Sequence, residues 1–290
     1  MTDARAVFFS TAAISHSLED PMVIARTLRF RAAGWLIGLF FVLLLNASLA
    51  RAAGDSLVVG MELAYPPFEM TDTTGKPTGV SVDLATELGR ALGKKIVIQN
   101  MAFDGLIPAL KTGKIDLIIS SMTANAERAR SIDFSDPYLN TGLCLLVKKE
   151  SPVKGIGDLD QPGRSVAVKK GTTGHAWAGK NLKKARVLVL DKEAAAVLEV
   201  VQGKADAFIY DQMSTYQNWQ KNRATTRAIL EPFQKESWAV GIRKGNDDLR
   251  TKVNAFLADF RKKGGFETLG DKYLKEQKEA FRKLGYPFYL

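Results

Sequence analysis

Leu106-Ile107-Pro108-Ala109-Leu110-Lys111-Thr112-Gly113-Lys114-Ile115-Asp116-Leu117-Ile118-Ile119 holds a complete structural sentence. Apolar residues at helical spacing come first, Gly113 supplies a helix stop, and an apolar run of strand length follows. Val197-Leu198-Glu199-Val200-Val201-Gln202-Gly203-Lys204-Ala205-Asp206-Ala207-Phe208-Ile209 repeats that order further along. Glycine caps are common in any α/β chain, so the repeat is suggestive by itself. Two such units nevertheless point to two α/β lobes built on one plan.

The flanking sequence extends the pattern. Leu57-Val58-Val59-Gly60 is a β-branched run ending in Gly, and Pro66 and Pro67 then break it. After the turn residues Gly75-Lys76-Pro77, residues Val82 to Leu92 put Val82, Leu84, Ala85, Leu88, Ala91 and Leu92 on one helical face, and Gly93 ends the helix. Lys95-Ile96-Val97-Ile98 reads as the next strand. Strand, helix and strand with short connections imply a parallel sheet with crossover helices. Asn140 to Lys149, with Leu143-Cys144-Leu145-Leu146-Val147 at its centre, is long enough to pass from one lobe to the other. A return near Glu231 to Val240 lets the helical region Asp248 to Leu284 rejoin the first lobe. No low-complexity linker intervenes, so two connecting strands, and hence a hinge, are expected in place of a tether. The expected division is 1–52 as a leader, 53–141 plus 237–290 as lobe 1, and 142–236 as lobe 2.

With 290 residues, 46% hydrophobic and 25% charged, the chain is globular in composition. The net charge of +10 falls only to +8 when the leader's five basic and three acidic residues are set aside, and the remainder is spread out. Lys180, Lys183, Lys184 and Arg186, or Arg261, Lys262 and Lys263, are interrupted by other residues or followed by them. Nucleic-acid tails carry longer like-charge blocks, so no nucleic-acid partner is expected. The lone Cys144 excludes an internal disulfide and a multi-cysteine metal site, and no Cys lies near a cleavage point to take a lipid.

Arg26, Arg29 and Arg31 precede an apolar run from Ala32 to Ala50 that only Asn46 and Ser48 interrupt, and Ala50-Arg51-Ala52 fits an A-x-A cleavage site. This is the pattern of an export signal with Ala52 as its last residue. Met22 is an alternative start that gives a conventional signal length. An uncleaved anchor is the competing reading, because the run approaches membrane-spanning length. The expected location is the periplasm, where a fold of this size needs no disulfide.

Candidate ligand contacts lie at strand ends. Tyr65-Pro66-Pro67-Phe68 follows the first strand, where ligands of open α/β sheets bind. Tyr65 there offers an aromatic wall, while Phe68 is equally suited to the core. Ile118-Ile119-Ser120-Ser121-Met122-Thr123 ends a strand in hydroxyls ahead of Asn125-Ala126-Glu127-Arg128-Ala129-Arg130, a helical segment. Hydroxyls and amides at such a turn favour an anion, and the Arg128 fork suits a carboxylate. Helix capping and a surface Arg explain the same residues more blandly. Val166-Ala167-Val168-Lys169-Lys170 ends at Gly171-Thr172-Thr173-Gly174, a turn too short and wrongly spaced for a nucleotide P-loop. Asp211, after a strand ending at Tyr210, could hold an ammonium group or cap the next helix.

Taken in order, Gly60…Tyr65-x-Pro67-Phe68, Phe103-Asp104-Gly105-Leu106-Ile107-Pro108-Ala109-Leu110, Asp116…Ser121-Met122-Thr123…Glu127-Arg128, Phe134-Ser135-Asp136-Pro137-Tyr138 and Gly171-Thr172-Thr173 with Asp206…Asp211 resemble the family 3 periplasmic solute-binding proteins, the amino-acid receptors of ABC importers. The resemblance covers residues 55–285. It implies the two-lobed α/β periplasmic-binding-protein fold of type II, each lobe a sheet flanked by helices, joined by two hinge strands. It implies a monomer that binds a free α-amino acid and delivers it to the membrane subunits of a cognate ABC transporter, without cofactor, metal or catalytic residues. Arg128 with the backbone at Thr123 and Thr173 would take the ligand carboxylate. Ser121, Thr123 and Asp211 would hold the ammonium, and Tyr65 and Phe103 would sandwich the side chain. Met122 and Thr172 belong to the same two segments. Glu62 would meet the polar end of the side chain, favouring a polar or cationic one. Two stretches depart from the family pattern: Gly79-Val80-Ser81, read as scaffold, and Gly174-His175, at the pocket floor.

Two other classes compete. A cyclohexadienyl or arogenate dehydratase on the same scaffold needs a general acid, for which Glu62 or Glu69 could serve. His16 lies in the leader, and His175 has no Ser or Cys partner pattern. A sensory module would use the same cleft, but no signalling segment accompanies it.

Overall fold

The apolar run of β1 (Ser56–Met61) sits inside a sheet, between β5 (Lys95–Asn100) and β6 (Leu117–Ile118), both parallel to it. The computed structural model describes residues 55–286, so the leader, Met22 and the cleavage site lie outside the described residues. Between β1 and β5 a small three-stranded sheet is formed by β2 (Ala64–Tyr65), β3 (Glu69–Thr71) and β4 (Pro77–Thr78). Then comes α1 (Val80–Leu92), which buries Val80, Val82, Leu84, Ala85 and Leu88 and stops at Gly93 in the left-handed conformation. α2 (Leu106–Lys111) connects β5 to β6 and packs Leu106 and Leu110 on the opposite face. Gly60 allows that approach: a Cβ there would lie 2.4 Å from Ile115 Cδ1.

After β6 the chain forms the short α3 (Ala126–Ala129) and β7 (Ile132–Phe134), then leaves the first sheet in β8 (Leu139–Lys148). The second sheet adds β9 (Ser165–Lys169), α4 (Thr173–Asn181), β10 (Arg186–Leu190), α5 (Glu193–Val201), β11 (Ala207–Asp211) and α6 (Gln212–Lys221). β12 (Thr226–Trp238) pairs antiparallel with β8 and returns the chain to β13 (Gly241–Arg243) in the first sheet. The strand orders are β5-β1-β6-β13-β7 and β10-β9-β11-β8-β12. Each sheet is mixed, not wholly parallel: the helix-connected strands are parallel, and one strand in each, β13 in the first and β8 in the second, runs against its neighbours. The two strand–helix–strand units of the opening stretch occupy equivalent positions, with α2 leading to β6 and α5 leading to β11.

The C-terminal helices α7 (Asp247–Lys262), α8 (Gly265–Tyr273) and α9 (Lys275–Lys283) bury Val253, Leu257, Phe266, Leu269 and Phe281 in the cluster that contains Val59 and Leu84. They therefore belong with the first sheet. Burying each such side chain contributes about 1.5–3 kcal/mol before the entropy of ordering it. Among the described residues, no helix is long and apolar enough to cross a membrane. Cys144 is wholly buried on β8, and burial raises its thiol pKa far above the ordinary value.

Close approach decides one further position. A Cβ on Gly142 of β8 would stand 2.6 Å from Gln234 O and from Pro232 Cβ on β12, where the pairing register shifts between Ile229 and Gln234.

Candidate functional site

The carboxyl ends of β1, β6, β9 and β11 face a cavity between the two sheets, with about 450 Å³ of unfilled space, part of it open to solvent. Of the residues expected at a ligand, Glu62, Tyr65, Phe103, Ser121, Thr123 and Arg128 line it from the first lobe. Thr172, Thr173 and Asp211 line it from the second. Met122 does not line it. Its side chain is fully buried in the apolar cluster with Leu106 and Ile132, where an unbranched thioether packs as core.

Arg128 is placed by a short, capped turn. Asn125 accepts a hydrogen bond from the Arg128 amide and starts α3, which sends the guanidinium back over the strand end. Nη1 donates to Thr123 O at 2.8 Å and Nη2 donates across the cleft to Gly171 O at 2.9 Å. Burial pulls the guanidinium's pKa down, and Glu236 and Glu127 oppose that shift. Thr123 Oγ1 and Thr173 Oγ1 each donate to Glu236 Oε2 at 3.0 Å, so two hydroxyls from different lobes converge on one carboxylate oxygen. Thr172 caps α4 instead: its Oγ1 accepts from the His175 amide and donates to Lys169 O.

Asp211 caps the next helix and also faces the cavity. Oδ1 accepts from the Ser214 amide, capping α6, and from Tyr65 Oη across the cleft at 2.6 Å. Burial pushes its pKa from 3.8 up to about 7, against those two hydrogen bonds. Tyr65 is itself held by rings, stacked on Phe68 at 5.4 Å and edge-on to Trp238 at 6.0 Å. Phe103 lies elsewhere in the cleft, with Arg128 Cζ and Lys169 Nζ within 5.5 and 5.4 Å of its ring centroid.

Glu69 is 1% exposed and also lines the cavity. Its carboxylate takes hydrogen bonds from Ser81, Ser121 and Ser120 at 2.6, 3.0 and 3.3 Å. Desolvation outweighs those donors and raises its pKa from 4.5 to about 8. Ser121 reaches it from a left-handed backbone at φ 49°. Ser81, in a stretch read as scaffold, is thus part of the cavity wall's hydrogen-bond network. Glu62 pairs with Lys169 of the opposite sheet. Tyr210, Glu236 and Trp238 also line the cavity, and sequence reasoning missed them. Tyr210 adjoins Asp211 at a strand end, so position could have nominated it.

These features match known proteins. The family model described as bacterial extracellular solute-binding proteins, family 3, matches residues 57–276. The L-cystine-binding protein TcyJ of Escherichia coli (strain K12) is 32% identical over 220 residues, covering 75% of this chain and 82% of the relative. The L-arginine-binding protein of Pseudomonas aeruginosa is 34% identical over 240 residues, covering 78% and 91%. A solved structure, the ancestral amino acid-binding protein AncCDT-1, a precursor of cyclohexadienyl dehydratase, superposes with a TM-score of 0.70 at 37% identity, covering 76% of this chain and 96% of its own. Two lobes joined by paired crossing strands, with a cavity at their strand ends and a family match running through both, place this chain among the bacterial extracellular solute-binding proteins of family 3.

Proposed function

We propose that the protein is an extracytoplasmic receptor that closes on a free α-amino acid and hands it to the membrane subunits of an ABC importer, acting as a monomer and not as an enzyme. The observation that carries this reading is the pairing of opposite charges on the two sides of the cavity. Half-buried Arg128 and two threonine hydroxyls form an anion site, and Asp211 supplies a buried carboxylate for a cation. An α-amino acid presents those two charges on one carbon. Residues 53–141 with 237–290 form one lobe of the receptor, and residues 142–236 form the other. Because the site draws on both, ligand binds the closed arrangement preferentially, which is the condition for ligand-driven closure.

Glu236 supports the assignment of the carboxylate site. Its Oε2 accepts from Thr123 and Thr173 beside Arg128, so these donors already converge on a carboxylate oxygen. Titration calorimetry over all the common amino acids tests the reading. At least one should bind, and Arg128→Ala should weaken it by about 1.5–3 kcal/mol, the scale of a charged hydrogen bond. Unchanged affinity in the variant would remove Arg128 from the site.

One observation favours a second reading. Glu69, raised to about 8, would be protonated at neutral pH and so able to donate a proton, as a dehydratase requires. Three serines fix its oxygens in the wall, which favours a structural role. Incubation with prephenate or arogenate should yield no aromatic product.

A further inference from the structure

Glu62 and Lys169 come from opposite lobes, Glu62 just beyond β1 and Lys169 at the last position of β9. Their side chains form an ion pair, with exposures of 16% and 5%. Lys169 is therefore almost entirely withdrawn from water, yet its ammonium faces the ligand-proximal carboxylate. The same ammonium stands 5.4 Å from the Phe103 centroid, and Arg128 Cζ stands 5.5 Å from it. Phe103 and Glu62 are thus two adjacent lining groups suited to attract a cationic side chain, one by its π face and one by its charge. Both already have a protein cation beside them.

Resting on the receptor reading above, we propose that Lys169 sets specificity by acting through Glu62 and Phe103, so that the cleft selects amino acids whose side chains carry no net charge over those with cationic side chains. A guanidinium or ammonium entering the cavity would share one carboxylate with Lys169, and the second cation on a partly buried site is uncompensated. The other acids near Lys169 do not relieve this. Burial pushes both Glu69 and Glu193 up, and each is held by serine or asparagine donors with no direct bond to Lys169 among the described contacts. Asp104, beyond Phe103, pairs with Lys170 at 3.0 Å. A neutral amide or hydroxyl, or an end with balanced charges, meets no such conflict. Glu62 on its own would favour polar or cationic side chains alike, and Lys169 separates those two classes. Lys169 is a positioning and charge-balancing residue: it does not line the cavity.

The test is a specificity ratio, which a merely structural role would not move. Dissociation constants for L-glutamine, L-serine and L-cystine are compared with those for L-arginine, L-lysine and L-glutamate by calorimetry on the full mature protein. The best net-neutral ligand should bind wild type at least about tenfold more tightly than arginine or lysine, matching about 1.4 kcal/mol. Lys169→Met should shift the cationic-to-neutral ratio at least about tenfold towards the cations, and adding Glu62→Gln should cancel that gain. Should Lys169→Met fail to fold, Glu62→Gln alone decides the matter, because it frees Lys169 and should improve the ranking of glutamate. A wild-type ranking headed by arginine, lysine or glutamate overturns the inference and leaves the receptor reading standing, as does an unmoved ratio in the variants. Absence of binding to every amino acid overturns the receptor reading, and the inference falls with it.

Discussion

Glu69 is a carboxyl group that the fold holds in its neutral form. Its folded pKa of about 8 exceeds its ordinary 4.5, and Asp211 at about 7 exceeds 3.8. The native state therefore keeps protons that the unfolded chain has already released. Stability from these groups is fully present below about pH 4, and it falls as pH rises until the folded groups also ionise near 7 and 8. Urea titrations at stepwise pH should show wild type losing stability from about pH 5 to 8, and Glu69→Gln should flatten part of that slope. Parallel profiles for the two proteins would mean that the carboxyl is not held neutral. Residue by residue, the cavity lining was readable where chemistry and position coincide: Asp211 ends a strand, Thr123 and Thr173 follow strands within a few residues, and Arg128 lies in the short helix after one. Glu236 and Trp238 were not, because a crossing strand is exposed to two lobes in turn and its alternation does not say which side chains meet a cleft. Lys169 read as one basic residue of a Lys-Lys pair, and only the folded arrangement separates its buried ion pair from the exposed Lys170.

At the level of elements, helices with an uninterrupted apolar face and a glycine stop were the most legible. α1 extends only two residues before the periodic stretch and ends at the expected Gly93. The sheets were less so, since a parallel sheet follows from strand–helix–strand order but the antiparallel additions depend on where the chain crosses. Those crossings, β8 and β12, pack at their tightest around Gly142. Gly142→Ala would drive a methyl into the carbonyl of Gln234 and the ring of Pro232, forcing the strands apart, and should cost about 1–3 kcal/mol in chemical denaturation. A loss below a few tenths would show that the crossing yields without strain. The same substitution should alter ligand affinity, because β8 and β12 carry the chain between the two sheets.

For the molecule as a whole, the cavity draws on both lobes, with Arg128 from the first and Asp211 from the second. A mature chain beginning at Ala53 is the expected exported product, and intact-mass measurement of protein recovered from the periplasm should give residues 53–290. A mass that retains the apolar run would identify an anchored form instead. The position of the lone cysteine has a separate consequence. Cys144 Sγ lies 3.3 Å from Leu230 O, between the strands that carry the chain from lobe to lobe, with no surface of its own. Uptake of a thiol reagent therefore requires β8 and β12 to part, and its rate at low denaturant is a clock for the opening of the second sheet. A ligand that holds the cleft shut would slow that clock, and an inert thiol becomes a timer of the protein's own breathing.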